Sequence, residues 1–284
     1  MAHESITARL FTLQAAVLPR TKARLGRLLA DGNASLTTIT DAMAHDPLLT
    51  AVLLGQANLA APSPVTRPTQ ALVSLGFTSI ETVLGDAREV SQRQCQPLAA
   101  CFALGNATAV LMRIIADYRS TRLPHRPDDE TLHICGLLHD LGTVIAILHF
   151  TDKYVSACRR LAAGEGPLSR LLEEILGLDA CALGGHLAGC WNLPPPYSTV
   201  ITWHAKPLSA PSEWIDLVAL VHLSRTLARA LGFHAPGDIW LDPVDEKAAE
   251  MLGLGRTDLE RVLNRTLDEL EELQLFESLL LNDG

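Results

Sequence analysis

The feature that most constrains the fold of this chain is its division into short apolar segments with helical spacing. Breaks rich in proline, glycine or charge separate these segments, and within them apolar residues recur three and four positions apart, as on one face of an α-helix. Ser35, for example, is expected to open a helix with Leu36, Ile39 and Met43 on one face. No long alternation of apolar and polar residues occurs, and no Asn-Gly or Asp-Gly turn joins two such runs. The sequence therefore predicts an all-α fold.

The breaks and the helix start signals divide the chain into three parts. We expect an N-terminal helical lobe at residues 5–92, a helical bundle at 97–234 and a C-terminal helical extension at 235–284. A chain of 284 residues is long enough for about two domains. The bundle helices are expected at Leu98–Tyr118, Glu130–Phe150, Asp152–Ala163, Leu168–Gly177, Ala180–Trp191, Tyr197–His204 and Ile215–Leu231.

Local capping signals predict further helix starts outside the bundle. They are Asp46 followed by Pro47, a capping box from Thr78 to Glu81, Asp242 followed by Pro243, and a capping box from Thr257 to Glu260. The last of these begins a helix with one apolar side, which we expect to pack against the body of the protein. That side consists of Leu259, Val262, Leu263, Leu267 and Leu270.

Charge and cysteine content exclude several function classes. Basic residues number 23 against 32 acidic ones, and the net charge of −9 argues against a nucleic-acid-binding face and against docking to anionic membranes. The six cysteines form no C-x-x-C pair, which predicts free thiols in a reducing compartment rather than a zinc site. The first residues lack the basic and apolar regions of a signal peptide. We therefore expect a cytoplasmic protein without a membrane span.

One motif in the bundle has the residue types of a chemical site. Gly136-Leu-Leu-His139-Asp140-Leu-Gly142 lies midway through the most apolar stretch of the chain, Leu132 to Phe150. Two ionisable residues in such a helix are costly to bury without partners. A neutral imidazole and a carboxylate suit a divalent metal ion, and a hydrogen-bonded structural pair is the other solution. The dipeptide alone leaves both interpretations open.

The motif resembles the HD superfamily, whose metal-dependent phosphohydrolases carry G-L-L-H-D-I-G at this point. From Leu18 to Gly232 the chain resembles one degenerate branch of it, the HDOD (HD-related output domain) family of bacterial signal-transduction proteins. The resemblance rests on an ordered series of short motifs. They are Leu18-Pro19, Asn33-Ala34-Ser35-Leu36, Asp46-Pro47-Leu48-Leu49, Ala71 to Gly76, Gly177-Leu-Asp179, Gly184, Trp191-Asn-Leu-Pro194 and Trp203-His204-x-x-Pro207.

The resemblance implies an HD-like bundle with a reduced set of metal ligands. His139, Asp140 and His204 match the family's ligand positions. At the family's other ligand positions, this chain carries residues without a ligating group or, in one case, a residue of the opposite charge. They are Leu104-Gly105 for the early histidine, Ala180 and Ala205 for later histidines, and Arg225 for the distal aspartate. We therefore expect a vestigial HD site of His139, Asp140, His204 and Arg225, without a metal. If an ion binds, His139, Asp140 and His204 are its expected ligands.

Arg225 argues further against a metal, because a guanidinium at a ligand position repels a cation. We expect Arg225 to neutralise Asp140 as an ion pair or through hydrogen bonds. The alternative is a working metal centre, which requires ligands at other positions. The candidates for that role are His133, His186 and His222.

By resemblance, we expect a non-catalytic signal-transduction module that acts through a protein partner, downstream of a two-component or nucleotide second-messenger system. We expect no cofactor, although the superfamily also implies a nucleotide held without turnover in the cleft. The alternative function is a metal-dependent phosphohydrolase or phosphodiesterase.

Overall fold

A computed structural model describes residues 16–31, 34–88, 90–118, 126–234, 238, 240–241 and 243–282, with the backbone alone from residue 270 onwards. Within these ranges the chain is helical and forms no sheet; its only β contact is an isolated parallel bridge between Ala16 and Arg88. The all-α prediction is confirmed. Residues 5–15 of the expected lobe and Asp242 lie outside the described residues.

In the described residues of the N-terminal lobe there are five helices. They are α1 (Pro19–Ala30), α2 (Leu36–Met43), α3 (Pro47–Ala60), α4 (Pro68–Leu75) and α5 (Phe77–Asp86). Two of the expected caps are present: the Ser35 hydroxyl accepts from the Thr38 amide at 3.1 Å, and the Asp46 carboxylate accepts from two amides at the start of α3. The capping box predicted at Thr78 is wrong, because α5 already begins at Phe77, directly after Gly76 at φ 74°.

The described part of the bundle follows as nine helical segments. They are α6 (Gln92–Tyr118), α7 (Asp129–Leu138), α8 (Leu141–His149), α9 (Thr151–Ala162), α10 (Leu168–Leu176), α11 (Ala180–Cys190), α12 (Pro195–Trp203), a 3-10 turn (Pro207–Ser209) and α13 (Ile215–Ala230). Most bounds agree with the prediction within two residues. Helix α6 begins six residues before the expected Leu98, with Pro97 inside it.

The single helix predicted at Glu130–Phe150 is wrong. His139 and Asp140 form a turn between α7 and α8, so the two residues lie at a helix junction rather than inside one helix. The backbone is closely packed at this junction. Gly142, at the start of α8, lies so near α11 that a Cβ there would overlap the carbonyl oxygen of Ala180.

The lobe and the bundle share helix α3. Residues 47–55 of this helix are all buried, which is typical of a helix packed on every side. Leu49 and Leu53 belong to the lobe core, whereas Leu48 and Leu54 pack into the core of the bundle. The two parts therefore form one continuous packed body, and α3 is the element through which they contact each other.

The C-terminal extension begins with helix α14 (Glu246–Leu252) and ends with α15 (Arg256–Asn282). Both predicted start signals are wrong: Asp245 caps α14, and α15 begins at Arg256, where the Gly255 amide donates to Asp258.

The apolar face predicted for α15 is only partly correct. Helix α15 packs on α6 through the buried Val262 and Thr266, while Leu267 is 51% exposed. An ion pair of 2.7 Å between Arg113 and Glu269 adds to this contact. The side chain of Leu270 lies outside the described part of the chain.

Among the residues that the structure describes, two stretches are long and apolar enough to cross a membrane by length and composition, Gln92–Tyr118 and Asp129–His149. In each, 78% of the most apolar window is buried inside the protein. They occupy the centre of the bundle, where helices α6, α7 and α8 pack against one another.

Candidate functional site

His139 is fully buried at the junction of α7 and α8. Its Nδ1 lies 2.6 Å from the carbonyl oxygen of Gly136, and because a carbonyl can only accept, Nδ1 carries the proton. The remaining nitrogen, Nε2, is therefore an acceptor, and it has no hydrogen-bond partner within the described residues. The local fold thus fixes this imidazole in one neutral tautomer.

His204 meets His139 from the end of α12. The two rings pack edge to face, with their centroids 5.0 Å apart and their planes at 90°. His204 is 3% exposed, and its Nδ1 donates to the Val200 carbonyl at 3.1 Å. Its Nε2 lies 3.7 Å from the Cys181 sulfur, in the first turn of α11. The structure therefore brings together two of the four residues of the expected site.

Burial keeps both imidazoles neutral. It lowers the pKa of His139 to about 4, against the opposing charge of Asp140, and Arg225 lowers it further. Burial also lowers the pKa of His204, and the nearby His139 and Arg225 act in the same direction. Burial and the carboxylates of Asp179 and Asp140 raise the pKa of Cys181 to about 12, so its thiol stays protonated.

Asp140 and Arg225 line the same cavity next to the histidine pair. This cavity has a volume of about 490 Å³, and its wall also includes Thr143, Cys181 and His204. The Asp140 carboxylate is half-buried and accepts a hydrogen bond of 2.6 Å from the Thr143 hydroxyl. Asp140, His204 and Arg225 thus line one space, and His139 packs against His204 without lining that space. The ion pair between Arg225 and Asp140 remains a prediction.

The alternative ligand candidates have other roles or positions. His133 bonds the Ala44 carbonyl at 2.9 Å, at the contact between lobe and bundle. His186 is exposed on α11. His222 lines the cavity, but both of its nitrogens are used. Nδ1 donates to the His204 carbonyl at 2.9 Å, and Nε2 accepts from the Asp245 amide at 3.0 Å.

The residues around the cavity do not fit the metal centre that the HD fold implies. Within the described ranges, no three His, Cys, Asp or Glu side chains lie close enough together to hold a metal ion. His204 faces a protonated thiol, and Ala180 and Ala205 present no ligating group. Arg225 adds a positive charge to the wall that a bound cation would face.

Sequence reasoning missed a charged pair that lies in this cavity. Arg229 on α13 pairs with Asp238 at 3.1 Å, with the two side chains 7% and 5% exposed. Arg229 also donates to the Trp240 carbonyl. Asp238 and Trp240 belong to the segment that we assigned to the C-terminal extension. The spacing of Arg225 and Arg229 on one helix face is readable in the sequence, but the position of Asp238 is not.

Two solved structures have this fold at low sequence identity. A response regulator from Methylococcus capsulatus str. Bath, MmoQ, is 21% identical with a TM-score of 0.65, and the match covers 88% of this chain and 98% of that one. An HDOD domain protein of unknown function from Geobacter sulfurreducens is 17% identical with a TM-score of 0.51, over 95% of both chains. At these identities the likeness shows the fold alone.

Sequence comparison identifies the family. An uncharacterized protein of Treponema pallidum (strain Nichols) is 31% identical over 108 residues, which are 37% of this chain and 20% of that protein. The chain thus matches about a fifth of the length of that relative. The HDOD domain family matches residues 16–207, the lobe and most of the bundle. The chain therefore belongs to the HDOD domain family.

Proposed function

We propose that this protein is a non-catalytic signal-transduction module that acts by binding a protein partner. The observation that carries the proposal is the composition of the cavity wall. The neutral imidazole of His204, a protonated thiol and an arginine stand where a hydrolytic centre needs several ligands, and the neutral imidazole of His139 packs behind His204. A two-metal centre requires bridging and terminal ligands on both ions, about 3.5–4 Å apart.

The signalling role is supported by family membership and by fold likeness. The HDOD family belongs to the HD superfamily. A protein described as a response regulator has the same fold over most of both chains. We propose that this chain, like that protein, serves in a regulatory pathway, downstream of a two-component or second-messenger system.

We propose the cytoplasm as its location, since all six cysteines are free thiols, as expected in a reducing compartment. We propose a signalling protein as its partner, and neither a nucleic acid nor a membrane, since the chain is acidic. A nucleotide held without turnover is compatible with the volume of the cavity.

The catalytic part of the proposal is tested with purified full-length protein and generic phosphoesters. Bis(p-nitrophenyl) phosphate and p-nitrophenyl phosphate are incubated with added Mn²⁺, Mg²⁺ or Zn²⁺, beside the matched variants His139→Ala and Asp140→Asn. We expect equal background rates for all three proteins. Metal-dependent hydrolysis that both variants lose would contradict the proposal and favour the alternative, a phosphohydrolase with a reduced ligand set.

The interaction part needs a defined partner. Photo-crosslinking of the full chain in its native cells should give one reproducible crosslinked protein, which is then purified. We expect it to bind the unmodified chain with a Kd of about 10 µM or lower. The His139→Ala variant should bind within about twofold of that value, because His139 is buried away from the surface. If no crosslinked protein binds at about 100 µM, the interaction part is wrong.

A further inference from the structure

Helix α13 joins the cavity to the C-terminal extension. His222, Arg225 and Arg229 are three, four and seven positions apart, so they lie on one face of the helix. All three line the cavity. His222 accepts from the Asp245 amide, and Arg229 binds both Asp238 and the Trp240 carbonyl. We call the described residues 238, 240, 241 and 243–245 the strap, because these contacts hold them along α13.

The contact between Arg229 and Asp238 is incomplete for a buried pair. Only one guanidinium nitrogen of Arg229 and one carboxylate oxygen of Asp238 meet, at 3.1 Å. Arg229 Nε and Asp238 Oδ1 are buried without a hydrogen-bond partner in the described part of the chain. A guanidinium can hold a carboxylate or phosphate with two parallel bonds, and a buried pair that forgoes the second bond offsets less of its desolvation cost. Arg229 therefore has unused capacity for an oxyanion.

The charges on the cavity wall balance only when Asp238 is included. Four basic side chains, Arg170, Lys206, Arg225 and Arg229, stand against the four acidic ones of Asp140, Glu173, Asp179 and Asp238. Three of the acidic residues belong to the bundle, and Asp238 alone comes from the strap. Withdrawal of Asp238 would leave the wall with one uncompensated positive charge, next to Arg225 and Arg229. An anionic ligand would restore the balance.

We propose that the cavity is a binding site for an oxyanion, in which Asp238 occupies Arg229 as an internal substitute for the ligand. A phosphoryl or carboxylate group that binds Arg229 displaces Asp238 and releases the strap from α13. The volume of about 490 Å³ accommodates a small organic ligand that carries such a group. The contact is autoinhibitory, since the chain supplies its own competitor. This inference does not depend on the proposed function.

The strap links the cavity to the last two helices. Asp245, at its end, caps α14 through bonds to the Lys247 and Ala248 amides, while its own amide is held by His222. Loss of the contact at Asp238 therefore loosens the segment that positions α14. Occupation of the cavity changes the outer surface of the extension, where Trp240 and Leu241 are already 47% and 52% exposed.

The test uses the full chain and two probe anions, inorganic pyrophosphate and citrate, whose binding is measured by titration calorimetry. Asp238→Asn removes the internal competitor and should bind at least one probe about tenfold more tightly than the unmodified protein. The second substitution Arg229→Leu, added to Asp238→Asn, should abolish this binding. The matched control Asp216→Asn removes an exposed carboxylate from the first turn of the same helix and should bind like the unmodified protein. The preferred probe identifies the ligand as phosphoryl or carboxylate.

A second measurement does not depend on any variant. Saturating probe anion should accelerate hydrogen exchange at the Trp240, Leu241 and Asp245 amides of the unmodified protein, while amides in α6 stay unchanged. Equal affinity of the unmodified and Asp238→Asn proteins would overturn the proposal, as would failure of both to bind either probe. If Asp238→Asn does not fold, the exchange measurement on the unmodified protein is sufficient. Unchanged exchange in the strap at high probe concentration would then overturn the proposal.

Discussion

Two histidine pairs in this protein have nearly the same geometry and opposite environments. His139 and His204 pack edge to face at 5.0 Å in the centre of the bundle, and His45 and His133 do so at 5.9 Å where the lobe meets it. The inner pair is buried, whereas His45 is exposed and His133 half-buried. Ring packing alone therefore does not distinguish a site from a structural contact.

The hydrogen bonds distinguish the two pairs. In the outer pair they cross between elements far apart in the chain: His45 donates to Asn106 at 2.7 Å, and His133 donates to Ala44 at 2.9 Å. In the inner pair each Nδ1 bonds a carbonyl three or four residues earlier in its own segment. The outer histidines hold two parts of the protein together. The inner ones are each held in place by a backbone carbonyl of their own segment.

The largest expected effect concerns the packing under the inner pair. Gly142→Ala places a methyl group against backbone atoms of α11, overlapping Ala180 and lying 2.9 Å from the Gly184 amide nitrogen. Backbone cannot move aside as a side chain can, so we expect a loss of about 4 kcal/mol or more in the free energy of unfolding. Urea denaturation measures it. Gly189→Ala is the control, because a Cβ there meets nothing within 4 Å, and its effect should be within about 1 kcal/mol.

The second prediction uses the opposite pH responses of bundle and lobe. Folded His139 has a pKa of about 4 against an ordinary 6.5, so the unfolded chain takes up the proton first as the pH falls through that range. Neutral His139 therefore makes its full contribution to the free energy of unfolding above pH 6.5. This contribution falls by about 3 kcal/mol as the pH drops towards 4. Asp46 in the lobe acts in reverse. Burial raises its pKa from 3.8 to about 6, so the folded state takes up the proton first and is stabilised as the pH falls.

Single variants separate these two effects. Asp46→Asn keeps the helix cap but removes its titration, so its free energy of unfolding should fall more steeply than that of the unmodified protein between pH 6.5 and 4. His139→Gln should change the slope in the other direction. Other titrating groups contribute equally to all three proteins. Parallel stability curves for the three would show that neither residue titrates as its burial predicts.

An intermediate effect is expected at the outer pair. Asn106 is 7% exposed, accepts from His45, and donates to the Phe102 carbonyl at 2.8 Å. Asn106→Ala removes bonds that cross from bundle to lobe, and we expect a loss of about 2 kcal/mol in the free energy of unfolding. Thr82→Ala, which removes one bond within an exposed helix, should cost below about 0.5 kcal/mol. Equal losses for the two variants would mean that the outer pair does not hold the lobe.

Sequence reasoning predicted the features that depend on neighbouring residues, and it missed those that depend on contacts between residues far apart in the chain. The helix starts at Ser35 and Asp46 were predictable, because a cap and the amides that it bonds are neighbours in the chain. The close approach of Gly142 to α11 was missed, since the two segments are far apart in sequence. The same holds in the cavity. The resemblance identified His139 and His204, but no periodic pattern could place Asp238 against Arg229.

The smallest expected effect is on the cavity wall, where Arg225 and Asp140 face one space. A double-mutant cycle with Arg225→Met, Asp140→Asn and the combined variant isolates their mutual energy from what each contributes elsewhere. Because Asp140 is half-buried and already accepts from Thr143, we expect a coupling of about 1 kcal/mol rather than the several kcal/mol of a fully buried pair. A coupling below about 0.3 kcal/mol would refute the pairing. Asp140 would then be held by the Thr143 hydroxyl rather than by Arg225.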